Sequence, residues 1–291
     1  MPQDTITSSS PDQLEPWKDI DVDSWNHLLR VLHSLKMIPK KEEQGWHHRS
    51  SFVFRGMSSA EWPLKTSLER LGSPPENVEQ PALRAFSRYA PIGTVSLKSE
   101  WDRLAVAQHN GLPTRVLDWT VSPLVAAHFA TEEKEYRIGK TRAPGLIWCV
   151  NADVVRGKLI PKEMGEYLCC EKAYVYNVPM LDALYPRLSD FDSPKVCSGD
   201  MMIFFEPPSI DARIQNQFGI LSAMNGPTKS HDAYLRQHAQ HEPNLVRRII
   251  IAPDAKSHIR DMLDQNNITE RMLFPGLPGL CDWLARYYGP A

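Results

Sequence analysis

Thirteen residues, QHNGLPTRVLDWT from Gln108 to Thr120, bring together Gln, His, two Thr, Arg, Asp and Trp. That mix is unusual for a linker. His109, near a predicted helix end, is the group able to exchange a proton near neutral pH. Arg115 and Asp118 stand three apart in what reads as an extended run. They therefore point to opposite faces and do not pair with each other. Arg115 is then either a structural bridge or an anion clamp. Asp118 reads as a buried carboxylate that accepts backbone N–H bonds and holds a turn. Thr120 and Ser122 either face a ligand or cap the helix that follows.

Two further segments carry chemistry. Arg55 ends the short apolar run Ser51-Phe52-Val53-Phe54, just before Gly56. A guanidinium emerging from a sheet beside backbone without a Cβ can hold a phosphate or carboxylate bidentately, or form a salt bridge at the rim. The segment Arg213-Ile-Gln-Asn-Gln-Phe-Gly-Ile220 follows the Pro207-Pro208 break. Read as extended, it puts Arg213, Gln215 and Gln217 on one face. Gln217 can hydrogen-bond a sugar hydroxyl but cannot act as a base, and Glu206 is the nearest carboxylate that could. His238 and His241 have ligand-like spacing on a helix, but two histidines do not make a zinc site, and they read as a polar surface segment. The Cys169-Cys170 pair reads as buried small-residue packing. No P-loop, dinucleotide-binding glycine pattern or GxSxG elbow occurs.

The elements that must position these groups follow from pattern. Asp21 or Asp23 caps a helix running to about Lys36, with Trp25, Leu28, Leu29, Leu32 and Leu35 on one face. Residues 51–56 read as a strand and 81–89 as a helix. A helix with Trp101, Leu104, Ala105 and Gln108 on one side stops at Gly111. Residues 113–119 are extended. Ser122-Pro123 opens a helix that is apolar nearly all round and so is buried. Strands follow at 146–150, 173–178, 201–205, 217–222 and 246–252, then helices at 254–265, 269–273 and 280–288. Strands and helices mix without regular alternation, which predicts an α+β fold. Residues 1–16 read as a disordered tail ahead of one domain over 17–291.

Composition narrows the classes. The 291 residues are 42% hydrophobic, with 33 Lys plus Arg against 35 Asp plus Glu, a net charge of -2. No global basic field favours nucleic acid. No stretch approaches a membrane helix, and the N-terminus lacks the pattern of a secretory signal. Five cysteines, odd in number and without CxxC, read as reduced thiols of a cytoplasmic protein.

Taken together, Phe54-Arg55-Gly56, AQHNGLPTRVLDWTVSPLVAAHFA at 107–130 and RIQNQFGIL at 213–221 resemble the FRG domain family, named for its Phe-Arg-Gly motif. The ending LFPGLPGL at 273–280 is similar to that family's C-terminus, and the resemblance spans about 20–290. More coarsely, the pattern resembles the ADP-ribosyltransferase superfamily, which uses an Arg or His on an early strand, a Ser/Thr/Tyr-bearing strand before a helix, and a late Glu. The resemblance implies a single mixed or antiparallel sheet with an N-terminal helix and C-terminal helices. It puts Arg55 in the first place, Thr120 and Ser122 in the second and Gln217 in the third, where active transferases carry Glu.

The implied ligand is NAD, as a substrate, or a related nucleotide, with no metal. Cleaving the nicotinamide–ribose bond needs a gripped diphosphate, an oriented ribose and an apolar wall. On this reading His109, Gln217 and Glu206 are the catalytic candidates. Arg55, Gly56, Thr114, Arg115, Trp119, Thr120, Ser122, Arg213 and Phe218 hold the nucleotide, and Asp118 is structural. The acceptor would be a protein or nucleic acid, and the setting that of a toxin, effector or defence component. Two alternatives stand beside this: a non-catalytic nucleotide or ADP-ribose-type binding module, and an NAD glycohydrolase or nucleic-acid-associated hydrolase using His109 and Asp118 as acid and base.

Overall fold

A computed structural model of the protein describes residues 17, 19–35, 50–91, 98–132, 143–208 and 212–289. The expected tail at 1–16 lies outside the described residues. Strands β1 (Asp19–Val22), β2 (Phe52–Met57), β3 (Val116–Thr120), β4 (Gly145–Asn151), β5 (Tyr176–Asn177), β6 (Met202–Glu206), β7 (Gly219–Met224) and β8 (Val246–Ile251) form one open sheet. Its order is β1-β8-β4-β2-β3-β7-β6-β5. β1 runs parallel to β8 and β5 parallel to β6; the other neighbours are antiparallel. The fold is α+β around a mixed sheet, as the irregular order of elements implies.

Helices cover both faces. In chain order they are α1 (Trp25–Ser34), α2 (Ser67–Arg70), α3 (Pro75–Tyr89), α4 (Glu100–His109), α5 (Pro123–Ala130), α6 (Ala152–Val154), α7 (Lys162–Cys170), α8 (Val178–Leu184), α9 (Leu188–Phe191), α10 (Ala212–Asn216), α11 (His231–Ala239), α12 (Ala255–Gln265), α13 (Glu270–Leu273) and α14 (Leu277–Tyr287). Alternation along the strands splits the core between the two faces. Val53, Leu117, Trp119, Trp148 and Ile220 pack on one face with Tyr234 and Leu235 of α11. On the other, Phe52, Phe54, Ile147 and Ile249 meet α1, α5 and α12, while Val116, Phe205 and Leu221 meet Trp101 and Leu104 of α4.

Two features position the site. First, α5 sits with its backbone directly on the sheet. A Cβ at Gly56 would fall 1.9 Å from the Ala126 carbonyl oxygen, and one at Gly145 would fall 2.2 Å from that of Ala130. Gly56 is therefore a packing residue. The run of alanines in α5 serves the same close approach. Second, β2 and β3 meet only at Phe54↔Thr120, although β2 stays paired with β4 from Phe52 to Met57 and β3 with β7 from Val116 to Thr120. The sheet opens along this seam.

Several boundaries differ from expectation for identifiable reasons. Residues 19–22 are an edge strand, so α1 is capped one step later by Ser24, whose hydroxyl accepts from His27 N–H. Residues 213–216 are helical rather than extended, and β7 starts at Gly219, after a turn in which Phe218 takes φ +50°. The apolar run at 173–178 yields only the short β5, because Asn177 and Val178-Pro179 start α8, with the Asn177 side chain capping it. Cys169 and Cys170 are exposed, not buried packing. By contrast, Ser122 caps α5 with Pro123 in its first turn, and Gly111 ends α4 at φ +85°.

Candidate functional site

A cleft of about 900 Å³ opens where the C-terminal end of α4, the start of α10 and the Phe274–Pro278 turn meet over β3. Its polar lining comes from Ser67, Gln108, His109, Asn110, Asp118 and Arg213, and its apolar lining from Leu112, Phe274, Pro275 and Pro278. Three of the motif segments thus face one another across a single space. The α4 end is shaped by its stop: Leu112 N–H reaches back to the Ala107 carbonyl at 2.9 Å and Gly111 N–H to Gln108 at 3.0 Å. This turn carries His109 and Asn110 into the cleft.

Asp118 differs from its expected role. Its side chain is exposed on the cleft floor, and its carboxylate accepts from the Gln108 side-chain amide at 2.7 Å. Among the described residues it holds no backbone N–H. The Gln108 carbonyl oxygen in turn accepts from the Thr114 hydroxyl at 2.5 Å. A carboxylate only accepts, so the amide nitrogen of Gln108 must face Asp118 and its oxygen must face Thr114. Thr114 is fully buried, so the relay is anchored from inside.

The opposite wall is built by contacts between the RIQNQFG and LFPGLPG segments. Asn216 donates to the Met272 carbonyl at 2.6 Å and Gln217 to that of Leu273 at 2.9 Å. Both carbonyls end α13, whose last turn has no intrahelical donors for them. These bonds set the position of Phe274, and the Arg213 guanidinium lies over its ring, 5.0 Å from the centroid. Arg213 Nε is buried with no hydrogen-bond partner among the described residues. A guanidinium stacked on an aromatic ring at a cleft wall offers its in-plane donors to an anion.

The other candidate residues lie elsewhere. Arg55 leaves β2 on the Val53 and Trp148 side, opposite Thr120, and sits in the β2–β3 seam, where it donates to the Asp118 main-chain carbonyl at 2.5 Å. It supports the cleft floor from behind. Arg115 is a bridge rather than a clamp: it is 3% exposed, its Nε donates to both Glu79 oxygens, and its Nη1 to Asp192. Burial would lower its pKa, but those two carboxylates raise it well above the ordinary value. Trp119 is core, its indole N–H donating to Ser222 at 2.8 Å. Thr120 donates to the Gln217 carbonyl at 2.7 Å and accepts from Ser122 N–H, and the Ser122 hydroxyl caps α5. Gln217 therefore ties elements together and leaves no amide N–H pair free to orient a ribose. Glu206 is exposed at the end of β6, beside Asn177 of the edge strand β5, and Phe218 is 56% exposed outside the cleft. His238 lies beside Tyr234 on α11, the ring centroids 4.5 Å apart and the planes tilted by 57°.

Sequence reasoning missed Ser67, Asn110, Phe274, Pro275 and Pro278 as cleft residues. The clue for the last three was the Gly- and Pro-rich LFPGLPGL itself, since such a turn needs a partner surface.

Comparison with known families finds the FRG domain at residues 50–137. The match takes in β2, the seam, α4, β3 and α5. It is narrower than the resemblance over 20–290, and the segments at 213–221 and 273–280 lie outside it while packing against it. No curated protein and no solved structure matches. No helix among the described residues is long and apolar enough to cross a membrane.

Proposed function

We propose that the cleft binds a nucleotide of the NAD or ADP-ribose type and that the chain acts as a nucleotide-binding module. The observation that carries this reading is the Arg213–Phe274 pair facing Asp118 and His109 across about 900 Å³. A cation, a ring and a proline-lined wall on one side suit a phosphate group and a flat base, and the polar opposite side suits a sugar. Binding rather than transfer follows from Gln217. The place where transferases of the resembling superfamily carry Glu holds an amide already committed to Leu273, and Glu206 stands at the end of β6, next to the edge strand and outside the cleft lining.

Isothermal titration of the full chain with ADP, ADP-ribose and NAD tests this. At least one should bind, and Arg213→Gln should weaken it by about 1.5–3 kcal/mol, the range for a hydrogen bond to a charged group. Absence of binding by all three nucleotides would end the reading.

A second reading, an ADP-ribosyltransferase-like or NAD-cleaving enzyme, draws support from strand order. β2 with Arg55, β3 with Thr120 ahead of a capped helix, and β7 preceded by Gln217 lie side by side in that sequence. His109 and Asp118 in one cleft would supply acid and base. Release of nicotinamide from NAD, lost in His109→Ala, would select this reading; an ADP-ribose adduct by mass spectrometry would make it transfer.

A further inference from the structure

We infer that Asp118 is a ribose reader and that the cleft selects ribonucleotides over their deoxy counterparts, an inference that rests on the nucleotide reading above. The argument starts from what fixes the carboxylate. Gln108 bonds to it at 2.7 Å, and Gln108 is itself oriented by the Thr114 hydroxyl at 2.5 Å. With Thr114 fully buried, the far end of this relay is packed inside the protein, while its near end, Asp118, is exposed at the cleft. Arg55 holds the same residue by its main-chain carbonyl from the opposite face of the sheet. Asp118 is thus restrained through both backbone and side chain, yet its carboxylate contributes no bond to a turn or cap among the described residues. An acceptor held this firmly in a cleft is suited to a ligand group that only donates to it. Vicinal hydroxyls of a ribose are such a group, since a carboxylate can take both at once. A site built to bond a hydroxyl rejects the analogue lacking it, because the site's polar group is then left without its partner. Arg213, on the other wall, would take the phosphates and be indifferent to the sugar.

The test is calorimetric titration of the full chain with ADP and 2′-deoxy-ADP, using wild type, Asp118→Asn, Gln108→Leu and Arg213→Gln. Wild type should prefer ADP by about ten- to a hundredfold, the span of the one hydrogen bond to a charged group that the missing 2′-hydroxyl removes. Asp118→Asn, isosteric at an exposed position, keeps at most a neutral hydrogen bond to the hydroxyl and should lower that ratio to about tenfold or less. Gln108→Leu should lower it while leaving Asp118 charged. Arg213→Gln should weaken both nucleotides alike and keep the ratio. Equal binding of ADP and 2′-deoxy-ADP by wild type overturns the inference and leaves nucleotide binding intact. An unchanged preference in Asp118→Asn also overturns it. Failure of ADP, ADP-ribose and NAD alike to bind removes the nucleotide reading itself.

Discussion

Arg115 and Glu79 form an ion pair sealed from solvent, with side chains 3% and 1% exposed. The pair joins the start of β3 to α3, and the bond to Asp192 extends it beyond α9. An ion pair at this depth gains little over an apolar packing, but removing one carboxylate leaves the buried guanidinium with Asp192 as its remaining anionic partner. Glu79→Gln should therefore cost about 1.5–3 kcal/mol in urea unfolding, the range for hydrogen bonds to a charged group. A cost below about 1 kcal/mol, the range of surface pairs, would mean that water reaches the pair.

The Phe-Arg-Gly motif makes a separate prediction, because each of its residues has a structural task. Phe54 is core, Arg55 clamps β3 and Gly56 admits α5. Gly56→Ala sets a Cβ against the backbone of Ala126, which cannot step aside without moving the helix. The expected result is loss of soluble, folded protein, or destabilisation beyond about 3 kcal/mol. Gly199→Ala, where nothing lies within 4 Å, is the control and should melt like wild type. Equal melting temperatures for the two variants would contradict the close approach.

Gln217 offers a test of its tie to α13. Replacing it with Glu sets a carboxylate at this position, and the new carboxylate oxygen would face the Leu273 carbonyl where an N–H now donates at 2.9 Å. Two acceptors cannot bond. Gln217→Glu should lose about 1–3 kcal/mol of stability near neutral pH and regain part of it when acidified, as the protonated carboxyl can donate. It should also weaken nucleotide binding, since the Phe274 wall is held by this bond. A stable Gln217→Glu protein that begins to release nicotinamide from NAD would show that the side chain faces the ligand.

Much of the framework was legible in local pattern, and much of the site was not. The α5 cap at Ser122-Pro123 and the α4 stop at Gly111 are fixed by short-range rules, and both stand as read. Of the two readings of Arg115 the bridge is the one that stands, and Asp118 faces the cleft instead of holding a turn. Opposite faces were foreseen, but which face was core depends on Glu79, 36 residues upstream of Arg115 and invisible to any local rule. The extended reading of 213–217 failed for a similar reason. A five-residue helix is fixed by its docking: Asn216, at its end, bonds to Met272, and the adjoining Gln217 to Leu273, in a segment more than fifty residues away. The close seat of α5 on Gly56 could be suspected from the glycine, but its depth could not.

Two buried histidines predict how stability responds to acid. His128 in α5 is fully buried; burial, then the neighbouring Arg260 charge, lower its pKa from 6.5 to about 3. Arg260 lies 2.5 Å from His128 Nδ1, and a guanidinium only donates, so the folded state needs that nitrogen bare and the ring neutral. His231 is likewise fully buried, and burial, then Arg55, lower it to about 3. In the unfolded chain both rings take up a proton near 6.5. The unfolded state therefore binds more protons throughout the interval between the two values. The stability these groups contribute is complete above about pH 6.5 and is lost as pH falls from there toward 3. Each ring sets a slope of up to about 1.4 kcal/mol per pH unit in that window. His128→Asn keeps an acceptor for Arg260 and removes the titration. Its unfolding free energy, measured by urea at half-unit steps from pH 7.5 to 4.5, should fall less steeply than that of wild type. Parallel curves for the two proteins would place the acid response elsewhere.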